Sequence, residues 1–181
     1  MEALKTKYYT YEEWLSLDDG IRSELFDGKI AVMPLPLRRH QEILSELHRQ
    51  LANFLKGKPC KVFPAPFAVR LTKDADTAVQ PDITVICDPS KLTKEGCTGA
   101  PDMIVEISAL STSRCDKYVK FNTYLQAGVR EYWIVDLEDE TISVYTLKGS
   151  NYVLHMYGKE NNVNVSVLEG CIINLTDVLA E

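Results

Sequence analysis

The apolar pattern is concentrated in the middle of the chain. Ile83-Thr84-Val85-Ile86 is followed, after a polar stretch, by Met103-Ile104-Val105-Glu106-Ile107. Short runs rich in β-branched residues predict buried or half-buried strands. Each run carries a carboxylate that such a strand does not need for packing: Asp82 opens the first and Glu106 sits inside the second. Residues 113–127 then begin polar and end at Gly128, which predicts a glycine-capped helix. Lys120 stands four residues after Asp116, so the two share a helical face. Two carboxylates on neighbouring strands, backed by a lysine, point to a divalent-cation site with a cationic helper.

The flanking pattern fills in the rest. Thr10 and Glu13 have the spacing of a capping box ahead of Trp14, Leu15 and Leu17, and Asp18-Asp19-Gly20 ends that helix. Asp27-Gly28 between residues 23–26 and 29–33 predicts a hairpin, with Glu24 near the start of its first strand. Pro34 and Pro36 break the sheet. A long helix over 40–55 follows, with Ile43, Leu44, Leu47, Leu51, Phe54 and Leu55 forming one stripe. Residues 62–63 and 67–71 read as a strand pair interrupted by Pro64 and Pro66, 73–79 as a polar connection and 88–100 as a loop. Residues 130–136 and 141–145 form strands about an acidic turn, and 152–157 and 163–168 continue an antiparallel meander to a short helix at 175–179. The expected fold is α+β, a mixed α/β chain in one domain over 1–181.

Composition narrows the class. With 45% hydrophobic and 25% charged residues in 181, the chain can bury a core of its own. No run approaches the roughly 18 apolar residues of a membrane span, and residues 1–7 lack the apolar centre of a secretory signal. The five cysteines are odd in number, scattered and never in a CxxC pair. That spacing argues against a disulfide framework, a zinc site or a cysteine nucleophile, and for a reducing cytoplasm. A net charge of −6 argues against a general polyanion coat, but leaves room for a locally basic cleft.

The ordered series Tyr9-Thr10-Tyr11-Glu12-Glu13-Trp14, Glu24-Leu25-Phe26-Asp27-Gly28, Pro81-Asp82, Glu106-Ile107, Ser111-Thr112, Asp116 to Lys120 and Gly128-Val129-Arg130-Glu131-Tyr132-Trp133-Ile134-Val135-Asp136 resembles the Uma-type putative restriction endonuclease family, within the PD-(D/E)XK nuclease-like superfamily. The resemblance spans roughly residues 8–178. It implies a restriction-endonuclease-like core, a central mixed sheet flanked by helices with antiparallel C-terminal hairpins. It also implies a site built from Asp82, Glu106, Glu24 and a lysine displaced onto the following helix, Lys120. Two positions depart from the pattern. Ser108 stands where the superfamily carries its strand lysine, and Ala109-Leu110 replaces the family's Ser-Pro.

The implied activity is Mg²⁺- or Mn²⁺-dependent hydrolysis of phosphodiester bonds in nucleic acid, most simply DNA. Asp82 and Glu106 would be metal ligands, with the Ile107 carbonyl a third oxygen, because hard cations take oxygen donors. Glu24 would complete the metal shell or hold a second ion. Lys120, on an exposed helix tolerant of alanine, would orient water or offset phosphate charge. His40, Lys117 and Arg114 are candidates for substrate binding, and Arg38, Arg39, Lys56, Lys58 and Lys61 for phosphate contacts. A homodimer is expected, since two strands require two cuts. The alternative is a non-catalytic nucleic-acid- or protein-binding domain that retains the nuclease fold.

Overall fold

The computed structural model describes residues 7–17, 20–73, 75–108 and 114–180, the side chains of 114–117 excepted. The capping box forms as its spacing predicts. Thr10 Oγ1 accepts from the Glu13 amide at 3.1 Å, and the Glu13 carboxylate accepts from the Thr10 amide at 2.9 Å. These bonds start α1 (Tyr11–Leu15), and Trp14 turns into a small core with Tyr11, Leu25 and Ala78. The predicted stop at Asp18-Asp19 lies outside the described residues. The hairpin β1 (Ser23–Phe26) and β2 (Lys29–Val32) turns on Asp27 and Gly28, both at positive φ, 47° and 75°. A two-residue turn with that handedness matches the twist of the strands it joins.

The leucine stripe becomes α2 (Arg38–Leu55), which buries Ile43, Leu47, Leu51 and Leu55. Each such side chain contributes about 1.5–3 kcal/mol by leaving water. They pack on one face of a six-stranded sheet. Along the chain come β3 (Lys61–Pro64), β4 (Ala68–Arg70), β5 (Ala78–Val79), β6 (Ile83–Ile86), β7 (Gly96–Thr98) and β8 (Met103–Ser108). α3 (Arg114–Ala127) crosses over to β9 (Glu131–Asp136), ending at Gly128 with φ 84°. β10 (Thr141–Lys148), β11 (Asn151–Gly158), β12 (Asn162–Asn164), β13 (Ile172–Asn174) and α4 (Leu175–Val178) complete the order.

The six-stranded sheet runs β11-β10-β9-β8-β6-β3, and a five-stranded sheet runs β2-β1-β5-β4-β7. β8 and β9 are parallel with α3 as the crossover, while β6 and β3 lie antiparallel on the other side. The sheet is therefore mixed, as expected. Its centre is covered on both faces, so β6, β8 and β9 read as nearly unbroken apolar runs. Ile83, Val85, Met103, Val105, Trp133 and Val135 point to α2. The alternate positions Ile86, Ile104 and Tyr132 meet Tyr124 of α3 and residues of the five-stranded sheet.

Several local expectations are corrected. Residues 62–63 and 67–71 are not partners: β3 joins β6 in one sheet, and β4 joins β5 and β7 in the other. The polar connection contains β5, and the 88–100 loop contains β7 and a 3-10 turn at Pro89–Lys91. Val163 belongs to a separate ribbon, β12 with β13, instead of extending the meander. The largest correction concerns the cysteines, because Cys60 and Cys87 form a disulfide. Lys61 pairs with Ile86, so one step further the two cysteines face each other at the end of the ladder. A separation of 27 residues conceals that neighbourhood in one dimension. Cys97 and Cys171 are free and buried. Among the described residues, no helix is long and apolar enough to cross a membrane.

Candidate active site

The pairing of β6 with β8 sets the geometry. Ile83 faces Val105 and Thr84 faces Ile104. Continuing that antiparallel register by one step brings Asp82 opposite Glu106. Residues directly opposite in a ladder share a face of the sheet, and here that is the face covered by α3. On the β9 side, Asp102 and Ser108 use their carbonyls to receive the Glu131 and Leu137 amides. Alternation along β8 back from Ser108 then turns the backbone groups of Ile107, Val105 and Met103 toward β6. β6 has already ended opposite Ile107, whose amide donates instead to Asp82 Oδ2 at 2.8 Å. The Ile107 carbonyl opens toward the same side.

Lys120 spans the two sheets. Its ammonium lies 2.9 Å from Glu106 Oε1 and 3.0 Å from both carboxylate oxygens of Glu24. Glu24 is held in place by the Gln80 amide, which donates to Oε1 at 2.9 Å. Tyr124, one turn after Lys120, donates its hydroxyl to Glu106 Oε1 at 2.6 Å. Glu24, Asp82 and Glu106 are all buried. The Lys120 side chain is 15% exposed, which corrects the expectation of an exposed, alanine-tolerant lysine. Asp116, its expected companion, has a side chain outside the described set, as do Lys117 and Arg114.

The Glu106 carboxyl is pushed up to about 7, first because burial removes its hydration. The Lys120 ammonium pulls it down, the neighbouring Glu24 and Asp82 charges push it up, and the Tyr124 hydrogen bond lowers it again. Burial works against the Lys120 charge, but Glu106 and Glu24 outweigh it and raise its pKa. Burial and the adjacent Glu106 hold Tyr124 far from ionisation. Glu131 gives a useful contrast. It is equally buried, yet it accepts from the Trp133 indole, the Ser166 hydroxyl and the Val167 amide, all neutral donors. That arrangement is structural.

His40, at the start of α2, places Nε2 3.1 Å from Asp82 Oδ2. Its Nδ1 is buried with no partner among the described residues, and the same holds for Ser108 Oγ. Of the expected phosphate contacts, Arg39 bonds to the Leu179 and Ala180 carbonyls and approaches Glu140, so it ties α2 to the C-terminal segment. Arg38 pairs with Glu42, and Lys58 lies over the Phe54 ring.

Three members of this network escaped sequence reasoning. Gln80 is its hub, because besides the Glu24 contact its carbonyl and side-chain oxygen accept from Arg22 at 3.1 and 3.3 Å. Arg22 is thereby aimed at the site, with Nη2 4.0 Å from Asp82 Oδ1, while 26% of its side chain remains exposed. Nothing local in the sequence marks it. Tyr124 was findable, since it stands four residues after Lys120 and so shares its face.

A family model described as putative restriction endonuclease, Uma2, matches residues 8–176. The chain belongs to the Uma2 family. The uncharacterised protein slr1290 of Synechocystis sp. (strain ATCC 27184 / PCC 6803 / Kazusa) is 26% identical over 137 residues, covering 74% of this chain and 72% of that protein. A crystal structure described as a putative nuclease, from Anabaena variabilis ATCC 29413, superposes with a TM-score of 0.75. It is 22% identical, with 94% of this chain and 97% of that one covered. At that identity the likeness establishes the fold, a restriction-endonuclease-like core with a mixed sheet. In Uma2 terms, the carboxylates implied by the sequence resemblance meet at one point, and the helix lysine stands between two of them.

Proposed function

We propose that the protein is a divalent-metal-dependent nuclease acting on nucleic acid, most simply DNA. The observation that carries this reading is the facing of Asp82 and Glu106 across β6 and β8, with Lys120 bonded to the second. The donor set fits a hard cation. Among the described residues, hydrogen bonds engage Asp82 through Oδ2 and Glu106 through Oε1, and Arg22 Nη2 stands 4.0 Å from Asp82 Oδ1. Among the described residues, no three His, Cys, Asp or Glu side chains are gathered to hold an ion unaided. The set is therefore two carboxylates, the Ile107 carbonyl and water, the oxygen-rich and part-hydrated shell that suits Mg²⁺ or Mn²⁺.

Such an ion supplies charge neutralisation at a phosphate and makes nearby water more acidic. The chain's own groups do the rest. His40 and the Ile107 amide fix the rotamer of Asp82, so its Oδ1 is presented without reorganisation. Glu24 holds Lys120 against Glu106 and thereby acts as a positioning residue, not a ligand. Lys120 keeps one positive charge beside the reacting phosphate. Arg22 is the more accessible cation, and its remaining N–H groups suit a phosphate oxygen. Ser108 leaves the strand position without charge, which is why the helix and the β1 approach supply it.

The alternative, a nucleic-acid-binding domain without turnover, is favoured by one observation: the Lys120 ammonium is already paired with both Glu24 and Glu106. A cleavage assay on supercoiled plasmid, single-stranded DNA and RNA separates the two. With Mg²⁺ or Mn²⁺ the protein should cut at least one substrate, while EDTA and Asp82→Ala should each abolish cutting. Equal cutting by wild type and Asp82→Ala would overturn the assignment. Retention of nucleic acid without cutting under any divalent ion would leave the binding domain as the function.

A further inference from the structure

We infer that β11 is the interface through which two copies of this chain join into one continuous sheet. This goes beyond the proposed chemistry and does not rest on it. β11 is the outer strand of the six-stranded sheet, eight residues long. Its ladder with β10 closes on Lys148 and Asn151 around a two-residue turn. Leu147 sends its amide to Arg130 on the other side, so its opposite number, Tyr152, faces outward, and so do Leu154, Met156 and Gly158. The Gly158 amide confirms this direction, because the Asn161 side chain accepts from it. Among the described residues, the backbone groups of Tyr152, Leu154 and Met156 face no strand.

Proteins guard such edges with charge, proline or a bulge. β11 has none of these: its residues, Asn-Tyr-Val-Leu-His-Met-Tyr-Gly, include no Lys, Arg, Asp, Glu or Pro. It also exposes Val153, Leu154 and Met156 at 43%, 45% and 64%. The opposite edge, β3, carries Lys61 and Pro64, and the short edge β2 carries Lys29. The six-stranded sheet thus has one open edge and one guarded edge.

A second copy fits this edge for three reasons. Antiparallel pairing about a twofold through Leu154 sets Tyr152 against the other copy's Met156, and makes about six backbone hydrogen bonds, two for each facing pair. An uncharged strand paired with itself opposes no like charges. Since β3 is blocked, the pair closes without growing into a filament.

The test is the mass of the full chain in solution at micromolar concentration, by light scattering or sedimentation. Wild type should run at twice the chain mass. Leu154→Lys, which sets two ammonium groups face to face on the twofold, should halve it. Met156→Lys should do the same, and circular dichroism should show both variants folded, as expected for exposed positions. Val32→Lys, an exposed change on β2, should leave the pair intact. A monomeric wild type overturns the inference, as does a Leu154→Lys protein that stays dimeric. Dissociation by Val32→Lys alone would place the contact elsewhere and equally overturn it.

Discussion

Removing the Lys120 ammonium while keeping its stem, as Lys120→Met does, tests the central geometry through stability alone. The ammonium sits 2.9 Å from Glu106 and 3.0 Å from Glu24, largely out of solvent. Deleting one partner of a buried ion pair costs roughly 3–5 kcal/mol, because the stranded charge stays buried. For a chain of 181 residues that is a fall in Tm of roughly 6–20 °C. The loss must depend on pH. The Glu106 carboxyl titrates at about 7 in the folded protein, above its unfolded value, so its contribution is fully present below the unfolded pKa and is lost as pH rises through about 7. At pH 5.5 Glu106 is protonated with or without Lys120, and only the Glu24 pairing is lost. The penalty there should be roughly half that at pH 8.5. Without the ammonium, the folded value of Glu106 rises further and stability falls more steeply above neutrality. Thermal unfolding of chelator-treated wild type and Lys120→Met at both pH values measures this. An equal Tm loss at pH 5.5 and 8.5 would refute the reasoning, because it would mean that Glu106 keeps its charge without help.

Four further outcomes are expected. Tyr124→Phe deletes the 2.6 Å bond to Glu106 and should cost about 1–2 kcal/mol in urea unfolding, with the Glu106 titration moving upward. Arg22→Ala should weaken retention of nucleic acid in filter binding by about 10-fold, the scale of one charge-assisted contact, and Arg22→Lys should restore only part of it. Leu47→Ala, at the centre of the α2 stripe, should cost 2–5 kcal/mol, as ~typical of a fully buried leucine. Reducing the Cys60–Cys87 bond should lower stability by about 2–4 kcal/mol, given the 27-residue separation. A non-reducing mass that shows two free thiols there would remove that last expectation.

Elements with their own local code were legible in one dimension. The Thr10–Glu13 box, the Asp27-Gly28 turn and the α2 leucine stripe each depend on contacts within a few residues, so their spacing determines them. The same holds for β6, β8 and β9, whose burial on both faces writes an apolar run into the sequence. Glu106 was conspicuous because a carboxylate inside such a run needs a partner. Which partner it has was decided only by the tertiary structure. Lys120 reaches Glu106 from a helix and Glu24 from a second sheet, across separations of 14 and 96 residues. Arg22 and Gln80 meet because β1 and β5 pair, and Cys60 meets Cys87 because β3 and β6 do. Register is a long-range property. It comes from packing a whole face at once, and no single segment carries it.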